Sequence, residues 1–116
     1  MMTSDAQFEV TASGEPGVPV LGVRGEIDVA SAPEFHSSLS DLIGQGSEMV
    51  IVDLSEVSFI DSTGLGVLVG AEKEMRASGQ ELRLVVTRPQ ITKILELTGL
   101  DEVFTVLPST NDAVRA

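Results

Sequence analysis

At 116 residues, of which 42% are apolar, the chain is long enough for one modest hydrophobic core, and residues 1–116 read as a single domain. It contains no cysteine, which excludes disulfides, thiolate metal sites and cysteine nucleophiles. A formal net charge of −11 argues against binding a polyphosphate backbone, and so against a nucleic-acid partner.

"AQFEVTAS" (Ala6 to Ser13) alternates Phe8 and Val10 with polar neighbours and predicts a strand, after which "GEPG" (Gly14 to Gly17) predicts a turn. "VPVLGVRGEID" (Val18 to Asp28) predicts a second strand, so the two should form a hairpin. In "SAPEFHSSLSDLIGQG", Ser31 stands where an N-cap belongs and Pro33 falls in the first turn. Phe35, Leu39, Leu42 and Ile43 follow at helical spacing, with Gly44 as the stop. "EMVIVDLS" (Glu48 to Ser55) is a nearly continuous apolar run, as a central strand covered on both faces requires.

A loop should follow, then a helix from about Ser62 to Ala77 with Leu65, Leu68, Ala71 or Glu72, and Met75 along one side and Gly79 beyond its end. "ELRLVVT" (Glu81 to Thr87) predicts a strand. "RPQITKILELTGL" predicts a helix with Ile91, Ile94, Leu95 and Leu97 apolar and Gly99 as its stop, and "EVFTVL" (Glu102 to Leu107) a last strand. Pro108 with Ser109 or Thr110 opens a short final helix. The order ββαβαβαβ implies an α/β fold with a mixed, mainly parallel sheet and covering helices.

No Lys or Arg lies between Arg24 and Lys73, whereas Glu26, Asp28, Glu34, Asp41, Glu48, Asp53, Glu56, Asp61 and Glu72 all do. A solvated acidic surface and a basic protein partner both fit that distribution. No apolar run approaches the ~18 residues of a membrane span. The start "MMTSDAQFEV" is polar where a signal peptide would be basic and then apolar, so the expected compartment is the cytoplasm.

The stretch "FIDSTGLGVLVG" (Phe59 to Gly70) concentrates an acid, two hydroxyls and three glycines at a helix start. Ser62 has no plausible base except carboxylates, and "DSTGLG" is not a nucleophile elbow, so hydrolase chemistry is not expected. His36, the only histidine, cannot anchor a transition metal alone and reads as a surface residue. Gly64, Gly66 and Gly70 resemble a dinucleotide fingerprint in spacing, but "LSEVSFIDST" separates them from the strand ending near Asp53. A helix-interior glycine costs about 1 kcal/mol against alanine, so three of them ask for close approach of a backbone, from this chain or from a partner. A receiver-like phosphoacceptor role for Asp53 would need further carboxylates for Mg²⁺ and a lysine at a later strand end; "LRLVVTRPQ" and "VFTVLPST" supply no lysine, so Asp53 reads as a strand-end turn residue.

Asp61 or Ser62 is the expected N-cap of the second helix. A hydroxyl at a helix start faces solvent and is reachable by a kinase. An added phosphate would carry about −1.5 to −2 charge, which the free amides and dipole of a helix N-terminus tolerate. No arginine lies nearby in sequence to fold it inward, so the modification would change what the surface presents outward.

"GEIDVASAPEF" together with "VIVDLSEVSFIDSTGLGVLVGAEKEMRASGQELRLVVTRPQITKILELTGLDEVFTVL" resembles the STAS domain of bacterial anti-anti-sigma factors (anti-sigma factor antagonists), over roughly residues 6 to 108. The resemblance implies a non-enzymatic regulator without a cofactor. Such a protein binds an anti-sigma factor, usually a serine kinase to which the ATP belongs, and so frees a sigma factor. It implies phosphorylation at Ser62 by that kinase, which switches binding off, and a separate serine phosphatase that restores it. Carried over by position, Asp61 precedes the acceptor, Thr63 and Gly64 follow it, Leu65 opens the contacting face of the helix, and Asp28 is the loop acid near the acceptor. Another partner-switching or stress-signalling complex is the alternative within the family; a transporter's STAS domain is disfavoured because no membrane segment accompanies it.

Overall fold

The structure, a computed structural model, describes residues 8–115. Its elements in chain order are β1 (Phe8–Glu15), β2 (Val18–Ile27), α1 (Ala32–Ile43), β3 (Met49–Ile60), α2 (Ser62–Ala77), β4 (Glu81–Val85), α3 (Pro89–Thr98), β5 (Thr105–Leu107) and α4 (Thr110–Arg115). The five strands lie side by side in chain order, with β1 antiparallel to β2 and all other neighbours parallel. This is the mixed, mainly parallel sheet with covering helices that the sequence pattern implies. Of the first expected strand, Ala6 and Gln7 lie outside the described residues.

Because each parallel crossover steps the same way across the sheet with the same hand, its helices must land on one face. Phe35 and Leu39 of α1, Leu68 and Met75 of α2, and Ile91 and Leu95 of α3 accordingly pack with Leu21, Val23, Val50, Val52, Leu82 and Leu84 in one buried cluster. The strand residues alternate, so Val20, Ile51 and Val85 face the other side, where Ala113 of α4 covers them. Arg83, buried on that side, donates to the Ala113 carbonyl at 2.6 Å and ion-pairs Glu81, which ties α4 down.

The largest departure from expectation is β3. It does not give way to a loop after Ser55 but continues as a strand to Ile60, paired with β2 alone beyond Asp53. The register explains why the pattern conceals this. Gly22 pairs with Asp53 but Arg24 with Glu56, and Gly25 with Val57 but Glu26 with Phe59, so β3 carries an extra residue at each of two bulges. Its buried residues then fall at Val52, Leu54, Val57 and Ile60 instead of alternating.

Other boundaries moved less. The hairpin turn narrows to Pro16-Gly17, with Gly17 at φ +90°. Gly44 ends α1 but stays right-handed at φ −66°, and Gly46 takes the positive φ. The last strand is shorter than expected, since Leu100–Glu102 form a single 3₁₀ turn after Gly99, at φ +75°. Asp53 is not a strand-end turn residue. It sits within β3 on the face that α4 covers, its carboxylate accepting from the Ser55 amide at 2.9 Å and from Thr110 Oγ1 at 3.4 Å.

Candidate functional site

Ile27 and Ile60 are register partners at the carboxyl ends of β2 and β3, and both are buried. Each is followed by an aspartate that turns the chain toward a helix. The Asp61 amide donates to the Ile27 carbonyl at 3.1 Å, which stitches the two turns together at one end of the sheet.

The two turns have the same bonding. Asp61 Oδ1 accepts from the amides of Thr63 at 2.9 Å and Gly64 at 3.1 Å, and its carbonyl accepts from Leu65 at 3.0 Å. Asp28 Oδ1 accepts from the amides of Ala30 at 3.0 Å and Ser31 at 3.1 Å, and its carbonyl from Ala32 at 2.8 Å. Both aspartates thus close a helical turn with a side-chain oxygen; the Ser31 amide also donates to the Asp28 carbonyl, at 3.2 Å. Ser31 holds the N-cap position of α1, as expected, but its side chain makes no cap bond to the helix; Asp28 closes the turn that leads into it. Ser31 Oγ instead donates to the Glu26 carbonyl at 2.8 Å and accepts from the Asp28 amide at 3.0 Å, a reciprocal exchange of the capping-box kind.

The expected site residues therefore meet at one sheet end. Asp61 and Asp28 are half-buried, Ser62 and Thr63 are exposed, Gly64 is buried, and Leu65 is half-buried against the core. Gly64 has a packing reason: a Cβ there would lie 2.5 Å from Ile27 Cγ2 and 2.8 Å from Ile60 Cγ1. Gly66 and Gly70 have none of that kind, since a Cβ on either meets nothing within 4 Å. They line a cavity of about 360 Å³ between α1 and α2, together with Thr63, His36, Leu39 and Val67. His36 is exposed on α1 as expected.

Two readings of the chemistry change. The strand does run almost directly into the glycine-bearing helix, so the separation that argued against a dinucleotide fingerprint is not there. What disfavours that fingerprint is local: Asp61 already occupies two first-turn amides, and the first glycine is filled by this chain's own isoleucines. For the same reason, the amides of Thr63 and Gly64 are not free to cradle a phosphate on Ser62. Arg24 and Arg88 are engaged elsewhere, Arg24 with Glu9 and Glu56, and Arg88 with the Ser55 carbonyl, about 16 Å back along β3 at strand rise. Among the described residues no group of three or more His, Cys, Asp or Glu is arranged to hold a metal ion, and no helix is long and apolar enough to cross a membrane.

Sequence reasoning passed over Val29. It follows Asp28 as Ser62 follows Asp61, and it is 72% exposed. The repeated Ile-Asp pair in "GEID" and "SFID" is the signal that could have found it.

A five-stranded sheet of this order, with an aspartate-capped helix start beside a second aspartate-closed turn at the same sheet end, defines an α/β domain whose exposed parts lie on turns rather than in a deep cavity. Residues 9–113 match the STAS domain family model, and the chain belongs to that family. It is 35% identical over 95 residues to the anti-sigma-B factor antagonist of Bacillus subtilis, covering 82% of this chain and 86% of that protein. It is 36% identical over 84 residues to the anti-sigma-B factor antagonist of Staphylococcus aureus, covering 72% of this chain and 78% of that one. The crystal structure of an anti-sigma factor antagonist from Mycobacterium paratuberculosis superposes with a TM-score of 0.88 at 26% identity, over 98% of this chain and 97% of that one.

Proposed function

We propose that this chain is a cytoplasmic anti-sigma factor antagonist, a regulator without catalysis of its own. Its unphosphorylated form binds an anti-sigma factor that is also a serine kinase, which releases the sigma factor. The kinase brings the ATP and phosphorylates Ser62; phosphorylation ends binding, and a serine phosphatase reverses it. Asp28, Asp61, Ser62, Thr63, Gly64 and Leu65 form the partner surface. The observation that carries this reading is the exposed Ser62 hydroxyl at the first position of a helix whose next two amides are already taken by Asp61. Family membership and the antagonist relatives support it.

A phosphate added there gains little from its own helix start, and it stands beside the Asp61 carboxylate. Its charge therefore acts outward. Against a partner carboxylate ~6 Å away, at an effective dielectric of about 20, one unit of like charge costs roughly 3 kcal/mol, more than a hundredfold in affinity. A phosphate wedged into a packed interface adds steric and desolvation penalties of the same sign.

The test is titration of the unmodified protein, Ser62→Ala and Ser62→Glu against the anti-sigma kinase of its own cell, with intact mass before and after incubation with ATP. Ser62→Ala should bind without being phosphorylated, and Ser62→Glu should bind far more weakly. Tight binding by Ser62→Glu would exclude electrostatic release. An acid-labile product lost in Asp53→Asn would replace the serine with an acyl phosphate.

A further inference from the structure

We infer, resting on the antagonist reading above, that Val29 is an apolar anchor for the anti-sigma factor and that Asp28 is the positioning residue that presents it, not a charge the partner reads. Asp28 Oδ1 is spent within its own turn, accepting from the Ala30 and Ser31 amides. Removing that acceptor frees the Ala30 amide and leaves the Ser31 amide only the Asp28 carbonyl, at 3.2 Å. Ser31 Oγ fastens the same turn to the Glu26 carbonyl, while buried Ala32 and then Pro33 fix the start of α1 behind it. The loop is thereby rigid, and its tip is Val29.

Val29 has no packing role to explain it. It is 72% exposed, and of the large apolar side chains among the described residues only Leu97 is more so. It sits at the position that Ser62 occupies in the neighbouring turn, and the two turns are joined by the Asp61–Ile27 hydrogen bond. A partner that covers Ser62 has this side chain beside it. Valine has one stiff side-chain torsion on a fixed backbone, so burying it costs little ordering entropy. The exposed carboxylates of Glu26 and Glu34 bracket the loop in sequence, and no Lys or Arg occurs from Glu26 to Glu72. The occupant this fits is a face of the anti-sigma factor with an apolar socket rimmed by lysine or arginine.

The experiment measures affinity for the purified anti-sigma kinase, together with amide hydrogen exchange at Ala30 and Ser31, in Val29→Ala, Asp28→Ala and Asp28→Asn. Leu97→Ala is the control, since Leu97 is 76% exposed near the far end of α3, toward the opposite end of the sheet. Val29→Ala should bind roughly tenfold more weakly, the change for about two methyl groups returned to water. Asp28→Ala should lose affinity by severalfold and lose protection at the Ala30 amide, while the Ser31 amide keeps its bond to the residue-28 carbonyl. Asp28→Asn should restore both, because asparagine caps as well as aspartate. If Asp28→Asn keeps its amide protection but binds as poorly as Asp28→Ala, Asp28 acts through its charge and the positioning role is overturned. Unchanged binding by Val29→Ala, or an equal loss in Leu97→Ala, overturns the anchor. If the unmodified protein does not bind the kinase while Ala30 and Ser31 show the expected exchange pattern, the antagonist reading itself has failed and the anchor falls with it.

Discussion

The turn after β2 and the turn after β3 begin alike and end differently. Both start from a buried isoleucine, use an aspartate to cap the next amides at nearly equal distances, and expose the residue after the cap. They part at the third residue past the aspartate. In the first turn it is Ser31, whose hydroxyl reaches back to the strand. In the second it is Gly64, whose missing side chain lets α2 settle onto Ile27 and Ile60. One turn is fastened by a hydrogen bond and the other by contact. The cap sets the backbone; what the surface offers depends on whether valine or serine follows it.

That contrast can be broken most strongly at Ser62. Phosphorylation of Ser62, or its substitution by Glu, should weaken kinase binding more than a hundredfold, measured by calorimetric titration, with no comparable loss for Ser62→Ala. Next in size is Gly64→Ala. Its methyl group collides with two fully packed isoleucines, and overpacking of this kind destabilises by about 1–3 kcal/mol, readable as a lower midpoint in denaturant. Gly66→Ala, which adds a methyl group to open space inside the same helix, should move stability the opposite way by up to about 1 kcal/mol.

Asp61→Ala and Asp28→Ala should each cost about 1 kcal/mol as lost caps, with Asn restoring most of it at either position. Clearly unequal losses would show that the two turns are alike only in geometry. The smallest effect belongs to Ser31→Ala, whose side-chain hydrogen bonds are partly exposed; about 0.5–1 kcal/mol is expected from the same denaturant midpoint.

Much of this was legible in the chain. Helix α2 runs over the expected Ser62 to Ala77, because its cap residue, its apolar spacing and the glycine beyond its end all agree. The hairpin and the parallel order follow from alternation and turn residues in the same way. A cap at Asp61 or Ser62 and an exposed Ser62 hydroxyl need only local rules; that the cap is Asp61 is decided by the folded turn. Those rules failed where long-range pairing overrode local pattern. The two bulges in β3 break its alternation and disguise a strand as a loop, and Ser31 takes the N-cap position without bonding its helix, because which group a hydroxyl reaches depends on how the turn is folded.

Sequence by itself determined the kind of each element, the anionic character of the stretch from Glu26 to Glu72 and the identity of the hydroxyl at the helix start, since these depend on residue type and near-neighbour spacing. The tertiary structure alone decided that Asp28 and Asp61 stand at one sheet end, that Ile27 and Ile60 occupy the space beside Gly64 while nothing does beside Gly66, and that Val29 is left exposed beside that site. Each of those depends on the register between β2 and β3, and register is set by strands brought together across the fold, where no local spacing rule reaches.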